Sequence, residues 1–463
     1  MLGQLEQGRV LLSRYRMRNT ALLSPLRRIP PELLDEIFWW TIESSRRSAL
    51  NYGKFDMIIP WVLTWVSSRW RAVALASPSL WSLVVLDYSS KTQNTLSPSL
   101  FPFVEAQIQR AQKLSIHFFG CHEIDSGPQI QMFELLSRHA SRWVELSVGI
   151  TAGMIALIAA LRDRLMSLRR LWMQWEGPES QIGESIDCFR GASSLVDVSV
   201  FNEYRFMLTP HPTHQLTRYQ LDATWETHKA ILKLAPNLIE ARIEINTTFD
   251  QPEFPSAADS EEILRLSLRR LYLSDSDFLG SLRLPLLEGL ALWVGNNNNP
   301  TVLRHLESIL GRSACPLRSL CLRESPNTRA TTEILRRFPL ITELAIMIDD
   351  PEAQEQVNVL MAALIVSEMG LAVAPQLRCL RFGCEDETSI DYETYLQMLQ
   401  SRWKSEECAL ITAALLIDLG PRPKRATRRG LHALRLEGLD FVLAKGPNGR
   451  NDMHVWAYAP TWN

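Results

Sequence analysis

The segment Leu317-Arg-Ser-Leu-Cys-Leu322 contains the pattern that organises most of this chain. A leucine is followed by apolar residues three and five positions later, so the last apolar positions alternate as in a β-strand with one buried face. Further copies begin at Leu168, Leu195, Leu216, Leu238, Leu268, Leu287, Ile341, Leu377 and Leu431, with weaker copies at Ala111 and Trp143. Stretches of helical character lie between copies, at 154–166, 225–234, 301–310 and 331–338. This alternation of strands and helices predicts an α/β fold with a parallel sheet.

The copies recur at intervals of 19 to 36 residues over most of this span. A leucine-rich repeat has a period of about 20–29 residues, with one strand and one helix per repeat, and neighbouring repeats bury each other's apolar faces. The region 100–463 therefore resembles an irregular leucine-rich-repeat solenoid, although it lacks the Asn or Cys that normally follows the strand. A non-repeating α/β domain with leucine-rich strands is the alternative.

The longest interval separates the copies at Leu377 and Leu431. Its sequence predicts a helix over 392–403, a second buried helix over 408–419, and a loop over 421–429 that reads Pro-Arg-Pro-Lys-Arg-Ala-Thr-Arg-Arg. The loop is typical of a solvated surface segment, and its alternative role is a nuclear localisation patch or a site for an acidic partner. The apolar run at 357–375 predicts another buried helix, because its uninterrupted part is too short to cross a membrane.

The N-terminal part contains two apolar helical segments. The first, 29–38, reads Ile-Pro-Pro-Glu-Leu-Leu-Asp-Glu-Ile-Phe, with Pro31 suited to the first helical position. The second begins near Pro60 and continues through Leu63-Thr-Trp-Val-Ser-Ser-Arg-Trp to Leu80-Trp81. Two helices this short cannot bury all of this apolar surface against each other, which indicates docking on a partner.

These segments resemble an F-box, in the version that is typical of F-box-like proteins of mushroom-forming fungi. The F-box pattern is Leu-Pro-x-Glu-Leu-Leu-x-x-Ile-Phe, then Leu-x-x-Val-Cys-x-x-Trp and a closing Leu-Trp. In this chain Ser67 stands for the usual Cys, and the insertion 39–59 is longer than in a minimal F-box. The resemblance implies an F-box-like helical domain over 29–85 that docks on a Skp-type adaptor. The implied adaptor-binding residues are Ile29, Pro30, Glu32, Leu33, Leu34, Ile37, Phe38, Leu63, Val66, Trp70, Leu80 and Trp81.

Residues 1–28 carry six arginines against one glutamate. We interpret them as a basic helical extension whose Leu5, Leu12 and Tyr15 pack on the next domain, with a mitochondrial transit peptide as the alternative.

The whole chain has 49 basic and 51 acidic residues, which gives no overall attraction to nucleic acid or to an anionic membrane. The seven cysteines are an odd number without a pairing pattern, and no secretory leader opens the sequence. Both observations favour localisation in the cytoplasm or the nucleus.

No sequence motif indicates catalysis. Nucleotide-binding, nucleophile-elbow and zinc-protease patterns are absent, and the nine histidines form no nucleophile–base pattern. His117, Cys121 and His122 lack a second ligand pair at zinc-like spacing. We therefore expect neither a cofactor nor a metal, and no enzymatic activity, with an active site hidden in the repeats as a remote alternative.

The resemblance implies a substrate-recognition subunit of a cullin-RING ubiquitin ligase, with the adaptor and cullin as partners and an unknown protein as target. A ligase-independent scaffold is the alternative. For the target surface, alternation within each copy predicts an exposed sheet face opposite the leucines. It carries Arg170, Trp172, Phe201, Arg242, Tyr272, Trp293 and Arg323. The alternative is that neighbouring loops or the chain's own termini cover the aromatic residues.

Overall fold

The computed structural model describes the chain in segments. They are parts of 6–15, then 28–49, 58–87, 100–119, 127–175, 187–201, 213–245, 263–264, 267–294, 300–323, 327–348, 354–366, 372–384, 390–419, 423–446, and residues 449 and 453. The chain divides into two compact units: unit 1 comprises Met1–Leu168 with Glu176–Gln181, and unit 2 comprises Arg169–Trp175 with Ile182–Asn463. This boundary lies within the region 100–463 that the sequence assigns to one solenoid.

Unit 1 joins a helical part to a short parallel sheet. Besides the helical residues within 6–15, its described helices are α1 (Pro31–Ala49), α2 (Ile58–Val66), α3 (Ser68–Ala76), α4 (Leu100–Arg110), α5 (Gly127–Ser137) and α6 (Ala152–Ala159). A 3-10 turn at Pro78–Trp81 leads into β1 (Leu83–Asp87), which pairs in parallel with β2 (Leu114–Phe119), and β2 pairs in parallel with β3 (Trp143–Ile150). The weak copies at Ala111 and Trp143 are therefore confirmed as strands.

The helix boundaries in unit 1 follow local sequence signals. α1 begins at Pro31, as the sequence predicts. The apolar segment after Pro60 forms two helices rather than one, because Ser67 adopts an extended conformation and its hydroxyl accepts a hydrogen bond from the Trp70 amide at 3.1 Å. The serine that replaces the usual F-box cysteine thus caps α3.

The described residues of unit 2 contain eleven strands that pair in parallel. These strands, in spatial order, are β4 (Arg170–Trp175), β5 (Asp197–Phe201), β6 (Arg218–Ala223), β7 (Glu240–Ile245), β9 (Arg270–Leu273), β11 (Gly289–Trp293), β12 (Ser319–Arg323), β13 (Glu343–Ile348), β14 (Cys379–Cys384), β15 (Thr412–Ile417) and β16 (Asp440–Lys445). Two short strands, β8 (Ile263–Leu264) and β10 (Leu282–Arg283), pair separately. The predicted α/β class and parallel sheet are confirmed.

The helices of unit 2 lie between strands in sequence. They are α7 (Trp225–Leu234), α8 (Pro300–Ser313), α9 (Thr328–Arg337), α10 (Gln354–Ala363), α11 (Tyr392–Lys404) and α12 (Arg425–Leu436). The predicted helices 225–234, 301–310, 331–338 and 392–403 are confirmed within a few residues. The predicted helices 154–166 and 357–375 are shorter than expected, since α6 ends at Ala159 and α10 at Ala363.

The repeated leucines share one face of this sheet. Leu320 lies in register with Leu290 on one neighbouring strand and Leu344 on the other, and all three are buried. The same register row runs from Leu171 to Phe441, and a second buried row runs from Met173 through Leu322 to Leu415. We call this face the leucine face and the opposite face the outer face.

The copy that begins at Leu431 is not a strand. Leu431 and Leu434 belong to the buried side of α12, and the strand follows at Asp440–Lys445. Spacings of three residues suit a helix as well as this repeat pattern. Gly438, at φ 108°, ends the helix: its amide donates to the Arg435 carbonyl, and the Leu439 amide donates to the Leu434 carbonyl at 3.0 Å.

The helix predicted over 408–419 is also wrong, because Thr412–Ile417 is strand β15. Its side chains from Ala413 to Ile417 are all buried, so both faces of the strand are covered and no alternation is visible in the sequence. The predicted loop 421–429 becomes helical from Arg425 onward. In the N-terminal extension, Leu12 and Tyr15 are exposed, so their predicted packing is wrong; Leu5 lies outside the described residues.

Candidate protein-binding surfaces

The first candidate surface belongs to the helices of unit 1. Five of the residues predicted to contact the adaptor are buried in the unit's own core: Leu34, Phe38, Leu63, Leu80 and Trp81. Phe38 packs against the half-buried Trp70 ring with a centroid distance of 4.7 Å. These positions therefore hold the helices together. The expectation that Leu34, Phe38 and Leu63 stay exposed for docking is wrong, because all three are buried.

Trp81 anchors the end of this helical part. Its indole N–H donates to the Ala74 carbonyl at 2.8 Å, and its ring packs edge-on against Trp61 at 4.9 Å. The Arg110 guanidinium lies 5.0 Å from the Trp61 ring centre and 5.1 Å from that of Trp81. Gln107, from the same helix α4, donates to the Leu83 carbonyl at 2.6 Å. These contacts join the helices to the start of the sheet in unit 1.

The other predicted adaptor residues are accessible. Leu33 is 51% exposed, Ile37 46% and Val66 55%, whereas a typical buried apolar residue in this chain is below one tenth. Pro30 and Glu32 are exposed, and Ile29 is half-buried, with its carbonyl accepting a hydrogen bond from Arg69. The motif thus divides into a buried half and an exposed half.

Further apolar residues extend the exposed half. Trp40 continues the line of Leu33 and Ile37 along α1 at spacings of four and three residues, and Trp65 lies beside Val66 on α2. Sequence reasoning missed both tryptophans, although their helical spacing from the motif residues indicates the shared face. We define the α1 stripe as Leu33, Ile37 and Trp40, and the α2 stripe as Val62, Trp65 and Val66.

The second candidate surface is the outer face of the sheet in unit 2. Its first register row alternates in charge across five strands through Arg170, Asp197, Arg218, Glu240 and Arg270. The Arg218 Nε lies 3.6 Å from Asp197 and 3.4 Å from Glu240, and Arg270 lies 2.7 Å from Glu240. Burial raises the pKa of Glu240, and the two arginines oppose that shift. The two carboxylates thus offset two of the three arginine charges in this row, and such partly exposed ion pairs contribute little stability.

Three of the predicted target-binding residues are buried on this face. Arg242, Tyr272 and Arg323 are 1%, 2% and 2% exposed, so the prediction that they are open is wrong. The Arg242 guanidinium lies 4.5 Å from the Tyr272 ring centre, and its Nε donates to Glu244 at 2.9 Å. Burial raises the pKa of Tyr272 to about 12 and lowers that of Arg242.

A C-terminal segment covers the neighbouring part of the outer face. Met453 packs in one apolar cluster with Tyr272, Ala291, Cys321, Met347, Ala414 and Leu416. Gly449 lies so close to the sheet that a Cβ there would be 2.9 Å from the Ala444 carbonyl and closer still to that of Ile417. Among the described residues near the C-terminus, Met453 therefore covers part of this region, which agrees with the alternative interpretation of the sequence.

The remaining predicted target residues are accessible. Arg170 is exposed, while Trp172, Phe201 and Trp293 are half-buried. Trp172 and Phe201 have ring centroids 5.8 Å apart. Trp293 lies under the Arg323 guanidinium at 4.8 Å from its ring centre. The outer face thus carries a half-buried aromatic pair, Trp172 and Phe201, on β4 and β5.

A cavity and a buried histidine lie on the leucine face. The cavity, about 380 Å³, has mostly apolar walls from β5, β6 and α7, including Val200, Leu221 and Ile231. His228 is fully buried, its Nδ1 lies 3.4 Å from the Tyr219 hydroxyl, and its Nε2 lies 3.2 Å from the Glu244 carbonyl. Burial lowers the pKa of His228 to about 4, which keeps the imidazole neutral near pH 7.

Metal and membrane signals are absent from the part of the chain that the structure describes. No group of three or more His, Cys, Asp or Glu side chains converges there as a metal site requires. His117 is buried 3.5 Å from Glu145, while Cys121 and His122 lie outside the described residues. Among those same residues, no helix is both long and apolar enough to cross a bilayer.

Comparison with models of known protein families and with curated proteins gives no match for this chain.

Proposed function

We propose that this chain is the substrate-recognition subunit of a cullin-RING ubiquitin ligase of the F-box type. In this proposal 29–85 is an F-box-like domain that docks on a Skp-type adaptor, and the parallel sheet that follows is a leucine-rich-repeat-like solenoid that holds the target. The chain has no catalytic role; it raises the effective concentration of the target near the ubiquitin-charged enzyme.

One observation carries the proposal: the exposed half of the motif forms apolar stripes on a small helical body. Leu33 and Ile37 point outward while the adjacent Leu34 and Phe38 are buried, so the helices satisfy their own core and still expose large apolar side chains. Exposed apolar residues on neighbouring helices are typical of a protein-docking surface.

The test is adaptor capture by the full chain carrying Leu33→Ala, Ile37→Ala and Val66→Ala. These changes remove exposed contact area without opening the core, whereas Leu34→Ala would leave a cavity among the helices and destabilise them. We expect a loss of roughly 2–4 kcal/mol of binding free energy, on the order of 100-fold in Kd. The matched control is Leu340→Ala with Val359→Ala, two apolar residues at 61% and 49% exposure in unit 2.

Undiminished capture by the triple variant would overturn the adaptor-docking proposal. Co-purification from cells separates the two candidate roles: a receptor brings cullin together with the adaptor, whereas a scaffold brings the adaptor alone. Affinity purification with the proteasome blocked then identifies the target.

A further inference from the structure

The exposed side of α12 carries a row of basic residues. Arg425, Arg428, Arg429, His432 and Arg435 follow one another at spacings of three, one, three and three residues and are all exposed. Thr427, Leu431 and Leu434 form the opposite, buried side. We call the first set the basic face of α12.

This face points away from the neighbouring helix. Gly430 lies so close to α11 that a Cβ there would be 2.6 Å from Leu396 Cδ2. At 3.6 residues per turn, His432 in the middle of the basic face lies about 160° around the helix from Gly430. The basic face is therefore open to a partner from outside.

The arginines of this face lack partners within the described residues. No ion pair or side-chain hydrogen bond joins Arg425, Arg428, Arg429 or Arg435 to any of those residues. On α9, by contrast, Arg337 contacts both Glu333 at 2.8 Å and Glu307 at 2.6 Å. Arg337 on α9 is thus paired, whereas the four arginines of the basic face have no side-chain partner among the described residues.

The arrangement works against the helix itself. The first turn contains no acidic residue, and Arg425 begins the helix, where the helix dipole disfavours positive charge. Like charges three and four residues apart also repel each other. Local stability does not account for such a row, and binding of negative charge does.

We propose that the basic face of α12 binds an acidic segment of a protein partner. Carboxylates pair with Arg425, Arg428 and Arg429, and Leu436, which is 76% exposed beyond the last arginine, supplies apolar contact. A protein segment fits better than nucleic acid, because the chain has a net charge of −2 and no overall field that attracts a phosphate backbone. Only the identification of this segment as part of the ligase target rests on the proposed function.

The test is fluorescence anisotropy with the full chain and a labelled peptide of alternating Glu and Leu. The variant is Arg425→Gln, Arg428→Gln and Arg429→Gln. The control is Arg329→Gln, Arg336→Gln and Arg337→Gln on α9, which removes the same charge from exposed positions. We expect the α12 variant to lose about tenfold in affinity and most of its salt dependence, and the control to stay within about twofold.

The proposal is overturned if the α12 variant and the unmodified chain bind the acidic peptide with equal affinity. It is also overturned if a peptide with Gln in place of Glu binds equally well. The proposal is also overturned if a 20-nucleotide single strand binds more tightly than the acidic peptide and the α12 variant loses that binding. That result would assign the face to nucleic acid. Circular dichroism confirms that the variant is folded. Adaptor capture by the α12 variant is measured in parallel. Failure of the acidic-segment proposal is then distinguishable from failure of the ligase proposal.

Discussion

Replacing Leu320 by Ala tests whether the leucine face is the core of unit 2. Leu320 is fully buried, and the register places the buried Leu290 and Leu344 on either side of it. The change removes three carbon groups, which costs about 2.4 kcal/mol at roughly 0.8 kcal/mol each. Hydrogen-bonded strands on both sides limit collapse of the cavity, so we expect a total of about 3–4 kcal/mol.

Hydrogen exchange followed by mass spectrometry measures this loss locally. In a repeat array, destabilisation concentrates in the altered repeat and its neighbours, so amides of β11, β12 and β13 should exchange on the order of 100-fold faster. The matched control is Arg318→Ala, an exposed position two residues earlier, which should change exchange little. Equal effects of the two substitutions, or normal exchange with Leu320→Ala, would refute the assignment of the leucine face as core.

Two further predictions concern the buried histidine and the covered outer face. Because burial lowers the folded pKa of His228 to about 4, the unfolded chain takes up the proton first as pH falls below the unperturbed value near 6.5. Urea unfolding should therefore show a loss of about 2 kcal/mol between pH 7 and pH 5, and His228→Gln should flatten that dependence. A Cβ at Gly449 would collide with the Ile417 carbonyl, so Gly449→Ala should displace Met453 and expose Cys321. Mass spectrometry after maleimide labelling should find Cys321 modified faster; unchanged labelling would contradict the covering role.

The repeat pattern predicted the strands because it indicates both where a strand lies and which of its faces is buried. Leu317, Leu320 and Leu322 fix both the strand and its buried side, and the same holds for the other strand copies from 168 to 382. At Leu431 the same spacing fits a helix face, and the deciding signal is Gly438 two residues after α12. A glycine at that place ends a helix in a way that a repeat count does not reveal.

The motif residues in unit 1 show a different limit of the sequence. Leu33 and Leu34 are adjacent and chemically identical, yet one is half exposed and the other is 1% exposed. Helical periodicity shows that they differ in direction by about 100°, but not which direction meets the rest of the unit. That choice depends on where Trp81 and the α3 residues pack, which requires the folded structure.

Alternation along a strand predicts the face of a side chain but not its exposure. Trp172 and Tyr272 occupy the same register row on the outer face, yet Trp172 is half-buried and Tyr272 is buried. The difference comes from the cluster around Met453, which packs on one part of the sheet from nearly 200 residues further along the chain. A single target-binding stripe across the sheet is therefore excluded by burial. On this face Arg170 is exposed and Trp172 and Phe201 are half-buried, while the buried Arg242, Tyr272 and Arg323 stabilise the protein itself.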